Sequence, residues 1–356
     1  MVHIQARPRF RARRFSPGVL SLAGLFLTPL ITFAQVNLGP VTVGAGLRTS
    51  YVHTQTDGAN DTNRFPVDSV RLYVNGPITS KVKFMFNTEY NSADNRVNVL
   101  DAIARLEFSP KFNIWAGRVL PPSDRANLAG PYYNSHWNVF TDGIQNGHPF
   151  VFQGRDNGVV YWGDFKKIKL SAGVFDGPTA SGRPEVIGAF RAQIHFWDKE
   201  EGYYLNSTYY GAKKLLTLAG ATQVQDGRTA TTVDFLLERK LANAGVITIE
   251  SEYSNYNRLG GYDARFANSQ GAYGLVGYIL PKEVGPGKIQ VLGKYSKADF
   301  TQGGPIPSYN QKTTEVNVNY LFKEFNGRVM TFFRNVDFSR GRPDNWQIGV
   351  GLQIQM

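Results

Sequence analysis

From Gly39 onward the chain alternates apolar and polar residues with period two over most of its length. The clearest case is the C-terminus. There Trp346, Ile348, Val350, Leu352, Ile354 and Met356 interleave with Gln347, Gly349, Gly351, Gln353 and Gln355. Successive side chains of a β-strand point to opposite faces, so one face here is wholly apolar and the other polar or Gly. A strand buried on both faces would not carry Gln and Gly along a whole side. Lipid on one side and water on the other fits this pattern. The same alternation sets Val82, Phe84, Phe86 and Thr88 against Lys81, Lys83, Asn87 and Glu89. It sets Leu100, Ala102, Ala104, Leu106 and Phe108 against Asp101, Arg105 and Glu107, and Val316, Val318, Tyr320 and Phe322 against Glu315, Asn317, Asn319 and Lys323.

Cutting at Gly, Pro and Asn turn signals predicts sixteen strands. They lie near 39–54, 65–76, 79–91, 97–109, 111–119, 154–164, 167–176, 185–198, 213–225, 230–241, 245–256, 271–281, 287–298, 311–323, 327–338 and 344–356. An even count suits a bacterial outer-membrane barrel, so the expected fold is an all-β, transmembrane antiparallel barrel. Connections should then alternate between short periplasmic turns and longer external loops. Most do, with two exceptions: Lys199 to Ala212 is long for a turn, and Asp226 to Thr229 is short for an external loop.

The alternation stops over Gly117 to Gln153, after the fifth strand. A long stretch without regular elements inside a repetitive β-protein is usually functional or disordered. This one is rich in Pro, Gly and aromatic residues, which is not a disordered composition. We expect the third external loop to fold inward and narrow the opening. Asp124, Arg125, Asn127, Tyr132, Tyr133, His136 and Trp137 are the candidates for its rim, with Pro121-Pro122 and Gly130-Pro131 stiffening the path.

Strand parity sends Arg71, Lys83, Arg105, Lys169, Arg191 and Lys294 into the lumen as basic residues, and Asp234, Glu238, Glu250 and Glu252 as acidic ones. On a closed cylinder the two groups face each other and would set up a transverse field. Such a field suits hydrated polar or zwitterionic solutes, with at most a modest preference for anions. Aromatic residues near strand ends are expected to form interfacial girdles: Phe108, Phe112, Trp115, Phe196, Trp197, Tyr209, Tyr210, Tyr253, Tyr256, Tyr295 and Phe300.

Composition narrows the classes further. Mean hydropathy is −0.29, and beyond the N-terminus no run approaches the ~20 apolar residues of a spanning helix. The absence of Cys removes disulfides, thiolate metal sites and covalent haem. Residues 1–34 pair a basic start, with Arg7, Arg9, Arg11, Arg13 and Arg14, to an apolar stretch and Thr32-Phe33-Ala34. They read as a cleaved signal peptide ahead of a barrel domain over 35–356. The five arginines and no acid there take the formal charge of +11 to +6 for the remainder.

Three stretches resemble the phosphate-selective porin O and P family: Arg71 to Tyr90, RLYVNGPITSKVKFMFNTEY; Trp115 to Trp137, WAGRVLPPSDRANLAGPYYNSHW; and Gly202 to Gly220, GYYLNSTYYGAKKLLTLAG. The resemblance implies a trimeric, sixteen-stranded porin with inward-folded loops. Its name-giving members carry a ladder of arginines, which does not align here residue by residue. Met356 stands where a terminal aromatic is usual.

The expected function is an outer-membrane channel passing small hydrophilic solutes or anions, phosphate among them, with no cofactor, no nucleic acid and lipid as its surroundings. Enzyme chemistry is not expected. The five histidines, His3, His53, His136, His148 and His195, lack metal-ligand spacing, and neither a phosphate loop nor a nucleophile elbow occurs. The competing readings are a barrel enzyme acting at the cell surface and a barrel sheath around an electron-transfer partner.

Overall fold

The computed structural model describes residues 36–38, 40–144, 154–177, 186–263, 265–301 and 303–356. The signal-peptide expectation falls on 1–34, outside the described residues. Sixteen antiparallel strands close into a barrel. They are β1 (Val41–Thr56), β2 (Val67–Pro77), β3 (Val82–Asn91), β4 (Arg96–Ser109), β5 (Phe112–Val119), β6 (Asp156–Asp164), β7 (Ile168–Phe175) and β8 (Ile187–His195). They continue with β9 (Leu215–Gln225), β10 (Arg228–Lys240), β11 (Val246–Asn257), β12 (Asn268–Val284), β13 (Gly287–Thr301), β14 (Tyr309–Lys323), β15 (Gly327–Phe338) and β16 (Asn345–Gln355). Each pairs with its neighbour in sequence, and β16 closes on β1 through a register from Asn345↔Thr56 to Gln355↔Gly46. No edge is left unpaired in the ring, which removes the exposed backbone groups an open sheet would present.

Every one of the sixteen segments expected from alternation overlaps one of these strands. The two exceptional connections have separate physical causes. At Asp226-Gly227 both residues take positive φ, 47° and 68°. That is the mirror-image two-residue turn whose twist matches paired strands, so no loop is needed. The 196–214 connection instead turns into the barrel, as described below. Two short extras add to the ring: Val36–Leu38 pairs with the start of β1, and Thr62–Arg64 with its far end.

Alternation governs exposure. Along β15 and β16, Phe333, Ile348 and Val350 are exposed while Arg328, Met330 and Gln353 are buried. The exposed set is apolar around the ring, including Val159, Val174, Phe190, Val233, Val276, Tyr295 and Val318. Most of the Asp, Glu, Asn, Gln and Arg of the strands are buried or half-buried. This is an inside-out arrangement relative to a soluble protein, in which contiguous exposed apolar surface of this extent is rare.

Two sequence expectations are corrected by local geometry. Leu100, expected on the outward face with Ala102, is 1% exposed. Asn87 pairs with Asp101 and Thr88 with Val99, so Leu100 is the extra residue of a bulge and the parity resets there. Among the aromatics, Phe108, Phe112, Phe196, Tyr253 and Tyr295 are outward and exposed, whereas Trp115, Tyr256 and Phe300 are buried. Trp115 and Tyr256 belong to one inner apolar cluster and Phe300 to another. Nearness to a strand end did not decide the face; parity did.

Candidate functional site

The stretch 120–144 leaves the fifth strand and is held by side chains from around the ring. From β1, Arg48 Nη2 donates to the Trp137 carbonyl at 3.1 Å. From β9, Gln223 Nε2 donates to the Pro122 carbonyl at 3.0 Å, and from β14, Asn319 Nδ2 donates to that of Ser135 at 2.8 Å. From β15, Arg328 donates to the carbonyls of Asn134 at 2.6 Å and Tyr132 at 3.2 Å. A segment touching walls on all sides lies inside the cylinder. Irregular backbone inside a barrel leaves carbonyls without ladder partners, and the inner-face arginines and amides supply the missing donors.

The loop's path is set locally as well. Asp124 caps a short helix, α1 (Arg125–Ala129), accepting from Asn127 N at 2.8 Å. Gly130 ends it at φ 64°, a conformation that Gly takes without strain. Two wall glycines make room for loop aromatics. A Cβ on Gly46 would stand 2.8 Å from the Tyr132 ring, and one on Gly351 2.5 Å from the Trp137 ring. Both rings lie under cations. Arg71 is 4.7 Å from the Tyr132 centroid, and Arg48 is 4.0 Å from that of Trp137.

A second inward segment, 199–212, enters from the opposite end, the one at which β1 begins and β16 ends. It meets the first along its length. Leu205 N donates to Leu128 O at 3.2 Å, Ser207 N to Tyr133 O at 3.0 Å, and Tyr203 Oη to Leu120 O at 2.7 Å. Between the two segments Arg125 grips Glu200 through both carboxylate oxygens, at 2.8 and 2.6 Å, with both side chains fully buried. Burial alone would raise the Glu200 carboxyl, but the Arg125 charge and hydrogen bonds outweigh it and hold it down at about 2. His136 is also held down, well below the ordinary imidazole value, by burial and by the Lys294 charge.

Each basic residue predicted to face the interior lies near a carboxylate. Arg71 Nε is 2.7 Å from Glu89, Lys83 Nζ 2.6 Å and Arg105 Nε 3.6 Å from Glu107, and Lys169 Nζ 3.6 Å from Asp164. Arg191 Nη2 donates to Asp234 at 3.0 Å, and Lys294 Nζ is 2.6 Å from Asp142. The predicted acids are covered rather than open to water. Glu238 accepts from Tyr209 N, Gly211 N and Thr208 Oγ1, Glu250 from Tyr273 Oη at 2.7 Å, and Glu252 from Ser254 Oγ at 3.1 Å. Asp234, Glu238, Glu250 and Glu252 are all at most 2% exposed. The transverse field expected across open water is therefore replaced by short ion pairs and by acids sealed under the inward segments.

Among the described residues, a cavity of about 350 Å³ opens on the β1–β4 side. Asn127 and Tyr133 of the loop line it, together with Arg71. Asp124, Arg125, His136 and Trp137 are instead packed into the walls, and Tyr132 lies against β1 and β2. Sequence reasoning missed Tyr73, Asn87, Arg155, Tyr204 and Asn206 in its lining. The signal that could have found the last two was the excess length of 199–212. A broader depression, about 540 Å³, lies on the outer face among Val159, Val174, Phe190 and Val224 and belongs to the apolar exterior. Among the described residues no group of three or more His, Cys, Asp or Glu is arranged to hold a metal ion.

No family model matches the sequence, and no curated protein matches it. Solved structures do match in fold. Pseudomonas putida OprB aligns with a TM-score of 0.64 at 9% identity, over 89% of this chain and 94% of that one. An anion-selective porin from Comamonas acidovorans aligns at 0.56 and 13%, over 89% and 99%. The outer membrane channel DcaP of Acinetobacter baumannii aligns at 0.56 and 13%, over 89% and 97%. At such identities the likeness is one of fold.

Proposed function

We propose that this protein is a passive outer-membrane channel for small hydrophilic solutes, narrowed by two segments that enter from opposite ends and meet near the middle. The observation that carries this reading is the inverted distribution of polarity: an apolar exterior around a closed ring, with a polar interior crossed by an ordered double constriction. The alternation suits lipid outside and water within. The described outer-membrane channel and anion-selective porin of like fold support the same class.

In this reading the ends follow from connection length. The 120–155 connection is external and 199–212 is periplasmic. Residues 1–34 serve as the export signal, and the mature chain assembles as a trimer, as the sequence resemblance implies. Phosphate preference, the finer part of that resemblance, finds little support: the six basic residues expected in the lumen have carboxylate neighbours, and the inner-face Arg48 and Arg328 are taken up by loop carbonyls, so no free cationic ladder faces the open cavity. Weak selectivity by size and polarity is the better fit. The sheath reading loses its main requirement, since the chain's own segments occupy the interior. A cell-surface enzyme would need a nucleophile and base paired at a rim.

The test is single-channel recording in planar bilayers with the purified protein. Stepwise conductance is expected, and its absence from well-folded protein refutes the proposal. Reversal potentials in asymmetric salt should move toward cations in the double variant Lys83→Glu, Arg105→Glu. If they do not move, neither side chain borders the ion path.

A further inference from the structure

We propose that the cavity beside the constriction is a binding site for a neutral, hydroxyl-rich solute of hexose to disaccharide size. The inference rests on the channel reading and adds the chemical class that the site would hold.

Three features of the wall carry it. First, its side-chain charges cancel. Arg71 is paired with Glu89 at 2.7 Å, and Asp101 with Arg155 at 3.2 Å. An entering anion or cation would compete with an existing partner, and a neutral solute would not. Second, polar capacity remains after those pairs are made. Asn75 Oδ1, Asn87 Oδ1, Tyr73 Oη, Tyr204 Oη and Arg71 Nη2 have no hydrogen-bond partner in the protein, although their residues line the cavity. The Asn87 amide is oriented by donating Nδ2 to Asp101 at 2.8 Å, which leaves its carbonyl as the acceptor. Buried polar groups without partners are costly, and five in one wall point to a ligand that donates and accepts in several directions. Third, the surroundings are aromatic and apolar. Tyr73, Tyr133 and Tyr204 alternate with Met85, Leu120 and Leu128. Tyr204 is held by edge contact with Tyr203 at 5.4 Å and lies 5.7 Å from Trp115. Sugars present C–H faces to aromatic rings and hydroxyls to amides, and both kinds of surface are present. The volume of about 350 Å³ lies in the range of small-molecule pockets.

The combination is not that of a bare water-filled throat. It is too polar to stay dry and too aromatic to be merely a hydrated wall. Its place against Asn127 and Tyr133 of one inward segment and Tyr204 and Asn206 of the other puts a bound solute where the two meet.

The experiment is ion-current recording in planar bilayers with maltose as the probe and inorganic phosphate as the charged comparison. Maltose is expected to reduce the current saturably, and phosphate to leave its concentration dependence linear. Tyr204→Phe keeps the ring and removes only the hydroxyl, and Asn75→Ala removes one acceptor. Each should raise the half-blocking maltose concentration about 3- to 10-fold, the effect of one lost hydrogen bond. Conductance with no saturable maltose effect overturns the site and leaves the channel standing. So does a maltose block equal in wild type and both variants, or saturation by phosphate alone. Absence of any conductance overturns the channel and the site together.

Discussion

Separating the two inward segments should open the channel, and the Arg125–Glu200 pair is the place to do it. The pair is fully buried and bidentate. Removing one member of a buried ion pair typically costs ~3–5 kcal/mol, because it strands the other charge. Glu200→Ala should sit at the lower end, since Arg125 keeps Asp234 at 3.5 Å and the Asn206 carbonyl at 2.9 Å. Arg125→Ala should sit higher, leaving Glu200 with only Tyr209 Oη and the Gln193 amide as donors. The sixteen-strand ladder is untouched by either change, so the loss falls on docking of 199–212 against the loop. A cost of about 3 kcal/mol multiplies the undocked population by ~10². The assay is bilayer conductance together with limited proteolysis of 199–212 in reconstituted protein. Both single variants should show larger, noisier currents and faster cleavage. The double variant Arg125→Met, Glu200→Met should recover most of the wild-type behaviour, since no charge is left unpaired. Wild-type currents and cleavage rates in both single variants would refute the coupling.

Three further outcomes follow from the same geometry. Acid should loosen the constriction in two stages. His136 is depressed by burial, so docking weakens as pH falls below its ordinary value of 6.5. The Glu200 contribution is full above 4.5 and is lost as pH falls toward about 2; current noise recorded from pH 7.5 to 3 checks this, with His136→Phe removing the first stage. Gly351→Val should push Trp137 off the wall, at a cost of ~1–3 kcal/mol in loop docking, read as altered conductance in a barrel that still migrates as folded on gels. Glu89→Gln should uncover the charge of Arg71 and move the reversal potential toward anions; an unchanged potential would show that Arg71 lies outside the ion path.

Strand number, strand position and the apolar exterior were legible because alternation is a local property: each residue's face follows from its neighbours two positions away. The rule failed at Leu100, where the ladder itself slipped, since a bulge depends on the partner strand. The loop at 120–144 could be located by its break in pattern, and the 199–212 segment was visible only as an unexplained length. What each inward side chain meets was decided by the tertiary structure. Glu200 lies 75 positions from Arg125, and Arg328 lies 194 from the carbonyl it binds. Closure of the ring and the infolding of both segments bring these groups together. A charge read from sequence as bordering open water can thus be neutralised by a group that only three-dimensional packing delivers.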